Sequence, residues 1–285
     1  MADIITQETV LQEFLPVINS NLTNTLDLVL QNGIYAAKST IVTKGTRELN
    51  APSSATAIEK DRIATDGSNT RKSARATVSN VCEVVDKFVS LSDTETVIEG
   101  NRLATEVSDA ILEAKQDINL HIWGGSYSIA DPRKMGNILK DTPSGQKISH
   151  LKAEMTKNII VNAVNTAKKY AALNTIFGSY DAIQYIAGLL KASETRIQND
   201  GSVSLDINKL TIGGQVLNVV LEENLTDSVV LGNKGLLEFY ALNPLKQTAL
   251  SKTGRTTDYM IGLEYTVLNR NPKAFYEITV TDLHA

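Results

Sequence analysis

The sequence predicts an α+β protein whose compact body carries one long helix and an extended two-stranded arm. Three observations predict it. Leu103, Val107, Ile111, Ala114 and Ile118 recur every third or fourth position and form one face of a helix. Tyr259, Ile261, Leu263, Tyr265 and Val267 alternate with different neighbours, the mark of a strand. Between strand-like stretches at 34–42 and 77–91, residues 43–76 are mostly Thr, Ser, Ala, Gly, Asn and charged side chains. Beyond Leu49, Ile58 and Ile63 that excursion has almost no large apolar residue, so its tip cannot bury a core of its own.

Residues 1–37 hold two apolar clusters, Val10, Leu11, Phe14 and Leu15, then Leu22, Leu26, Val29 and Leu30. Pro16 interrupts the first. The second has helical spacing and stops at Asn32–Gly33, a helix-end signal. So short a segment must pack on its own subunit's body or on a neighbour's. The polar excursion after it reads as a loop or as an arm that leaves the body and lies on a partner; the flanking strands favour the arm. Thr96 and Glu99 offer a capping box for the long helix, and Gly124–Gly125 end it. From 101 to 123 it would run ~35 Å at about 1.5 Å per residue.

Residues 126–147 are a loop with Pro132 and Pro143. A second helix is expected at 149–170, with Leu151, Met155, Ile159, Ala163 and Ala167 inward. A short buried strand at 173–177 leads to a third helix, with Ser179 as N-cap and Ile183, Ile186, Ala187 and Leu190 inward. Strands are expected at 210–225 and 228–231, with Gly213–Gly214 as a hairpin turn. Asn269 to Pro272 is turn-forming, and Phe275, Tyr276, Ile278 and Val280 mark a return strand.

Composition narrows the function classes. Apolar residues make up 42% and charged residues 21%, which suits a packed protein. Lys plus Arg less Asp plus Glu is 28 − 32 = −4, so net charge does not draw the chain to nucleic acid, although a local basic patch remains open. The single cysteine, Cys82, excludes an intrachain disulfide and a Cys-rich zinc site. The N-terminus lacks the basic and apolar regions of a signal peptide, and no apolar run approaches the ~20 residues of a membrane span. A soluble protein made in a reducing cytoplasm is the expectation.

Chemistry-bearing motifs are missing as well. There is no phosphate-binding Gly-rich loop, no dinucleotide fingerprint, no His-Glu-x-x-His and no nucleophile elbow. Lys234 lies in Gly232-Asn-Lys-Gly235, which reads as a surface loop because no helix start or Ser/Thr comes after it in register. His121 has no acid or nucleophile that the sequence can assign to it, so a packed or helix-terminal histidine is expected. Cys82, between Val81 and Glu83, reads as a small apolar strand residue rather than a reactive thiol. No catalytic, cofactor-binding or metal-ligating residue is nominated, and the expectation is a protein that is not an enzyme.

The order of parts, with local stretches, carries a resemblance. The runs Arg71-Lys-Ser-Ala-Arg-Ala-Thr-Val-Ser-Asn80 and Phe88-Val-Ser-Leu-Ser-Asp-Thr-Glu95, the helix at 104–118 and the segment 173–190 contribute. So do Tyr240-Ala-Leu-Asn-Pro-Leu-Lys-Gln-Thr-Ala-Leu-Ser-Lys-Thr-Gly254 and Gly262-Leu-Glu-Tyr-Thr-Val-Leu-Asn-Arg-Asn271, with Lys273 and Ala274 just beyond. Over about residues 20 to 283 the chain resembles the major capsid proteins of tailed double-stranded DNA bacteriophages, with the Hong Kong 97 fold. The resemblance implies an N-arm at 1–37, an E-loop at 38–91 lying over the adjacent subunit, and an elongated P-domain at 92–125 and 255–285 with 101–123 as its spine helix. It implies an α/β A-domain at 126–254.

The function that the resemblance implies is assembly. Pentamers and hexamers of the chain itself would close an icosahedral virion shell around double-stranded DNA bound without sequence specificity. Synthesis in the host bacterial cytoplasm and partners such as scaffolding, portal and decoration proteins are implied too. The start at Met1 leaves no room for a cleaved scaffolding region, so a separate scaffolding protein, or none, is expected. Glu59, Lys60, Asp61, Arg62, Arg71, Lys72 and Arg75 are the expected inter-subunit contacts, fixing register more than affinity. The acidic side of the helix, Glu106, Asp109, Glu113 and Asp117, is expected to face the shell interior or a neighbour's rim. An encapsulin-type nanocompartment shell keeps the fold and changes the cargo; an unrecognised α/β enzyme is the other alternative.

Overall fold

The computed structural model describes residues 24–48, 74–98, 102–190, 209–252 and 254–284. In chain order it contains helix α1 (Asn24–Leu30), strands β1 (Ile34–Ala36), β2 (Ile41–Glu48), β3 (Ala74–Val81) and β4 (Glu83–Ser92), and helices α2 (Asp93–Ile98) and α3 (Arg102–Gly124). Then come β5 (Lys147–Leu151), α4 (Lys157–Ala167), β6 (Thr175–Gly178), α5 (Tyr180–Leu189), β7 (Lys209–Ile212) and β8 (Gln215–Leu221). The chain closes with β9 (Ser228–Gly232), β10 (Leu237–Ala249), β11 (Thr256–Asn269) and β12 (Tyr276–Thr281).

The long helix forms where its spacing predicts. Ala110, Ala114, Ile118, Ile122 and Trp123 are buried, and Leu103, Val107 and Ile111 pack beside Val89, Leu91 and Ile261. The helix ends at Gly124, and the next position requires glycine, because a Cβ at Gly125 would lie 2.5 Å from the Met135 carbonyl oxygen and 2.6 Å from that of His121. The capping box falls one helix earlier than expected. The Ser92 N–H donates to the Glu95 carboxylate at 2.8 Å and the Glu95 N–H to Ser92 Oγ at 3.2 Å, which starts α2 where β4 ends. Thr96 lies inside α2, and Glu99 falls outside the described residues.

Beneath α3 lies a four-stranded sheet in the order β1-β10-β11-β4. β11 is antiparallel to both β10 and β4, and β1 joins β10 in parallel. The C-terminal strands do not form a hairpin, which departs from the expectation. Asn269 Nδ2 donates to the Ile138 carbonyl at 3.0 Å, Pro272 opens a tight 3-10 turn, and Phe275 packs fully buried against Gly232. The chain is thereby led to a second sheet, ordered β5-β12-β9-β6-β8-β7. So β12, expected to share the 255–285 block with β11, belongs with the body, and β10, expected within 126–254, lies beside β11. β4, expected as part of the 38–91 arm, pairs along its length with β11.

Helices α4 and α5 cover the six-stranded sheet with Ile160, Ala163, Val164, Ile183 and Ile186. Ser179 caps α5, its Oγ accepting from the Ala182 N–H at 3.3 Å. The helix expected from 149 starts only at Lys157. Residues 147–151 instead form β5, parallel to β12, so Leu151 is exposed while Met155 is still buried. Pairing with a strand more than a hundred residues away outweighs helical spacing there. Gly213 and Gly214, both at positive φ (55° and 78°), make the expected two-residue hairpin turn between β7 and β8. Helix α1 ends at Gly33 (φ 97°), and its Leu26 and Val29 pack into the core beneath α3 of the same chain.

Candidate assembly interface

Within the expected 38–91 arm there is a two-stranded ribbon, but its strands are 41–48 and 74–81 rather than 34–42 and 77–91, and residues 49–73 lie outside the described residues. β2 and β3 pair antiparallel from Ile41 opposite Val81 out to Glu48 opposite Ala74. Its root is anchored by packing. Val42, Val78 and Cys82 are buried with Tyr240 and Leu268, and Asn80, also buried, donates to the carbonyls of Gly136 (2.8 Å) and Val267 (2.7 Å). Cys82 sits at the break between β3 and β4, its N–H on the Thr40 carbonyl at 2.7 Å. Burial pushes its thiol up to about 11, which makes it inert, as its neighbours predict.

Alternation along the ribbon sorts its side chains. One face carries Val42, Lys44 and Glu48 with Asn80 and Val78; the other carries Thr43, Gly45 and Arg47 with Ser79, Thr77 and Arg75. The first face is tied to the body. Lys44 Nζ lies 5.6 Å from the Tyr240 ring centre, and Glu48 pairs with Lys273 at 2.5 Å. That carboxylate raises the Lys273 pKa. Beyond Ile41 and Val81 at the root, the second face has no large apolar residue, and it places Arg47 directly opposite Arg75, both exposed. Arg47 also borders a cleft of about 810 Å³ between ribbon and body, lined further by Lys169, Arg270 and Lys273 against Glu48 and Asp141.

Of the expected contact residues, Arg75 is thus placed on the exposed ribbon. Glu59, Lys60, Asp61, Arg62, Arg71 and Lys72 lie outside the described residues. Sequence reasoning missed Arg47 as a partner of Arg75, and it missed the Glu48–Lys273 tie. The first emerges only from strand register; the second joins residues 225 positions apart.

The acidic row on α3 is real, and it is partly answered within the chain. Lys87 on β4 reaches Asp117 at 2.7 Å and Glu113 at 3.6 Å, and the Asp117 hydrogen bond raises its pKa. Arg102 pairs with Glu95 at 3.7 Å and Glu106 at 3.5 Å. Each cation is therefore shared by two carboxylates, which leaves a negative surplus along the helix. His121, for which the sequence nominates no acid, has one: Nδ1 lies 3.2 Å from Glu83 Oε1, and the other Glu83 oxygen accepts from the Met135 N–H at 3.0 Å. The Glu83 carboxylate holds the imidazole pKa above its ordinary value, against the opposing effect of burial.

A buried polar knot joins α1, α3 and the segment after β8. Thr25 Oγ1 donates to Glu222 at 2.6 Å, Asn119 Nδ2 donates to it at 2.9 Å, and Asn224 Nδ2 at 2.7 Å. Asn119 Oδ1 in turn accepts the Leu26 N–H at 2.9 Å, and Trp123 Nε1 donates to Thr25 Oγ1 at 3.1 Å. A buried carboxylate so fully satisfied fixes how the elements meet. Among the described residues, no group of three or more His, Cys, Asp or Glu is placed to hold a metal. No helix among them is long and apolar enough to cross a membrane.

Comparison with known proteins gives the fold and family. The family model of the SU10 major capsid protein matches residues 3–282. No curated protein sequence matches. Among solved structures, the cyanophage A-1(L) capsid superposes with a TM-score of 0.65 at 11% identity, covering 94% of this chain and 96% of the other. The SrpI encapsulin of Synechococcus elongatus PCC 7942 gives 0.64 at 10% identity, covering 95% and 91%. A chain from Microbacterium phage Oxtober96 gives 0.60 at 13% identity, covering 94% and 93%.

Proposed function

The chain belongs to the SU10 major capsid protein family, and from that premise we propose that it self-assembles as pentamers and hexamers into the icosahedral shell of a tailed-phage head around double-stranded DNA. The observation that supports this most is the β2–β3 ribbon. Two strands alone are marginal in water, yet beyond Ile41 and Val81 at its root this ribbon keeps one face without an apolar residue. Such an element is stabilised by lying on another surface, and closed symmetry supplies that surface from a copy of the same chain.

In this reading the ribbon and residues 49–73 form the E-loop over a neighbour. Helix α3 with the four-stranded sheet forms the P-domain, and the six-stranded sheet with α4 and α5 forms the A-domain. Many modest contacts, repeated by symmetry, give the shell its stability. The subunit does no chemistry of its own. Synthesis in the host bacterial cytoplasm, help from scaffolding and portal proteins, and later decoration belong to the same proposal.

The test is to replace residues 49–73 by an Asn-Gly turn joining Glu48 to Ala74, which face each other in the ribbon. The shortened subunit is expected to keep the parent's thermal midpoint and to lose closed particles under conditions where the parent forms them. Closed particles from the shortened chain would overturn the arm's role.

A further inference from the structure

We propose that Arg47 and Arg75 form a two-arginine clamp that grips the acidic row of α3, Glu106, Asp109 and Glu113, on a second copy of this chain. The inference rests on the capsid reading and adds which surfaces meet and by what chemistry.

The first observation is a local electrostatic conflict. Arg47 and Arg75 are directly opposed across an antiparallel pair, where like charges are destabilising. Both are exposed, and among the described residues no carboxylate is in ion-pair reach of either. The nearest acid in sequence, Glu48, points to the other face and is held by Lys273. The neighbours on the arginine face, Thr43, Gly45, Thr77 and Ser79, are small, so a surface can approach closely. The adjoining cleft is lined by Lys169, by Arg270, which pairs with Glu238 at 3.2 Å, and by Lys273, which Glu48 holds. Paired guanidinium groups suit bidentate carboxylate binding.

The second observation is the matching surplus. Glu106, Asp109, Glu113 and Asp117 are spaced by three, four and four, which places them in one row on α3. Two cations, Lys87 and Arg102, serve three of the four, Glu106, Glu113 and Asp117, and Arg102 is also shared with Glu95 of α2; Asp109 stands in the row between the two clusters. Glu113 keeps 63% of its side chain exposed and lies 3.6 Å from a lysine that Asp117 holds more closely. The row extends about 16 Å at ~1.5 Å per residue, long enough to meet two arginines whose Cα atoms are roughly 5 Å apart. A clamp cannot reach the row of its own chain and also remain free of carboxylates, so the partner is another copy.

The experiment uses the full chain. The double variant Arg47→Glu/Arg75→Glu is expected to melt as the parent does and to need at least about tenfold more protein to assemble. Adding Glu106→Lys and Glu113→Lys to that variant is expected to restore assembly. Arg75→Cys subunits mixed with Glu113→Cys subunits are expected to form a disulfide-linked dimer on oxidation. Normal assembly of the double variant overturns the clamp, and particles that form normally but hold less DNA assign the arginines to phosphate instead. Lost assembly without rescue and without the cross-link also overturns it. If the parent forms no particles at all, the capsid reading fails, whereas the disulfide between the two cysteine variants still decides the contact.

Discussion

His121 and Glu83 show how one pair carries a pH dependence. Asp117 on α3 adds to the attraction for a proton on His121, Lys134 opposes it, and Tyr265 is the buried hydroxyl nearby that feels both Glu83 and Asp117. Because the folded state raises the imidazole pKa, it holds the proton more tightly than the unfolded chain does. The pair's contribution is complete below the ordinary value of 6.5 and is lost as pH rises through the raised folded value. The thermal midpoint of the parent should therefore exceed that of His121→Gln at pH 6, and the gap should narrow by pH 8.5. A gap that does not change over that range would mean that the imidazole is not protonated in the fold. Glu222 makes a different point at this scale: its partners Thr25, Asn119 and Asn224 come from three parts of the chain, and none of them is marked by any motif.

At the scale of elements, α3 is sensitive to a single change just past its end. A methyl group at Gly125 meets two backbone oxygens, of Met135 and His121, which cannot move as a flexible side chain would. Gly125→Ala is expected to lower stability by roughly 1–3 kcal/mol in urea unfolding, through overpacking against backbone. No loss would mean that the helix end and the loop at 135–137 shift without strain. The same helix is legible in the sequence because its stripe is long and unbroken, and the Gly213–Gly214 hairpin is legible because that turn demands two positive φ values. β5 is not legible: Leu151 and Met155 fit a helix, and only the distant β12 makes 147–151 a strand. Nor is the parting of β11 and β12 into separate sheets, which depends on Asn269 and Phe275 finding partners far along the chain. Of the candidate interface, composition marks the polar excursion at 43–76, but not which strands pair at its base, 41–48 with 74–81. Its opposed arginines are not legible, because register sets them against each other.

At the scale of the whole molecule, a body with two main cores carries the β2–β3 ribbon and the acidic row of α3. One core lies against the six-stranded sheet and the other beneath α3, and Thr25, Asn119 and Glu222 bind the two regions together. A body fixed in this way can present its surfaces at a constant angle, which closure of a symmetric shell requires. The likeness to phage capsids and to an encapsulin, at 10–13% identity, is a likeness of fold. The most direct measurement is electron microscopy of the purified full-length protein, with light scattering on the same sample across concentration and with candidate scaffolding protein added. Uniform closed particles, or rings of five and six subunits that precede them, are the predicted result. A strict monomer at every concentration, with and without scaffold, would contradict self-assembly into a shell.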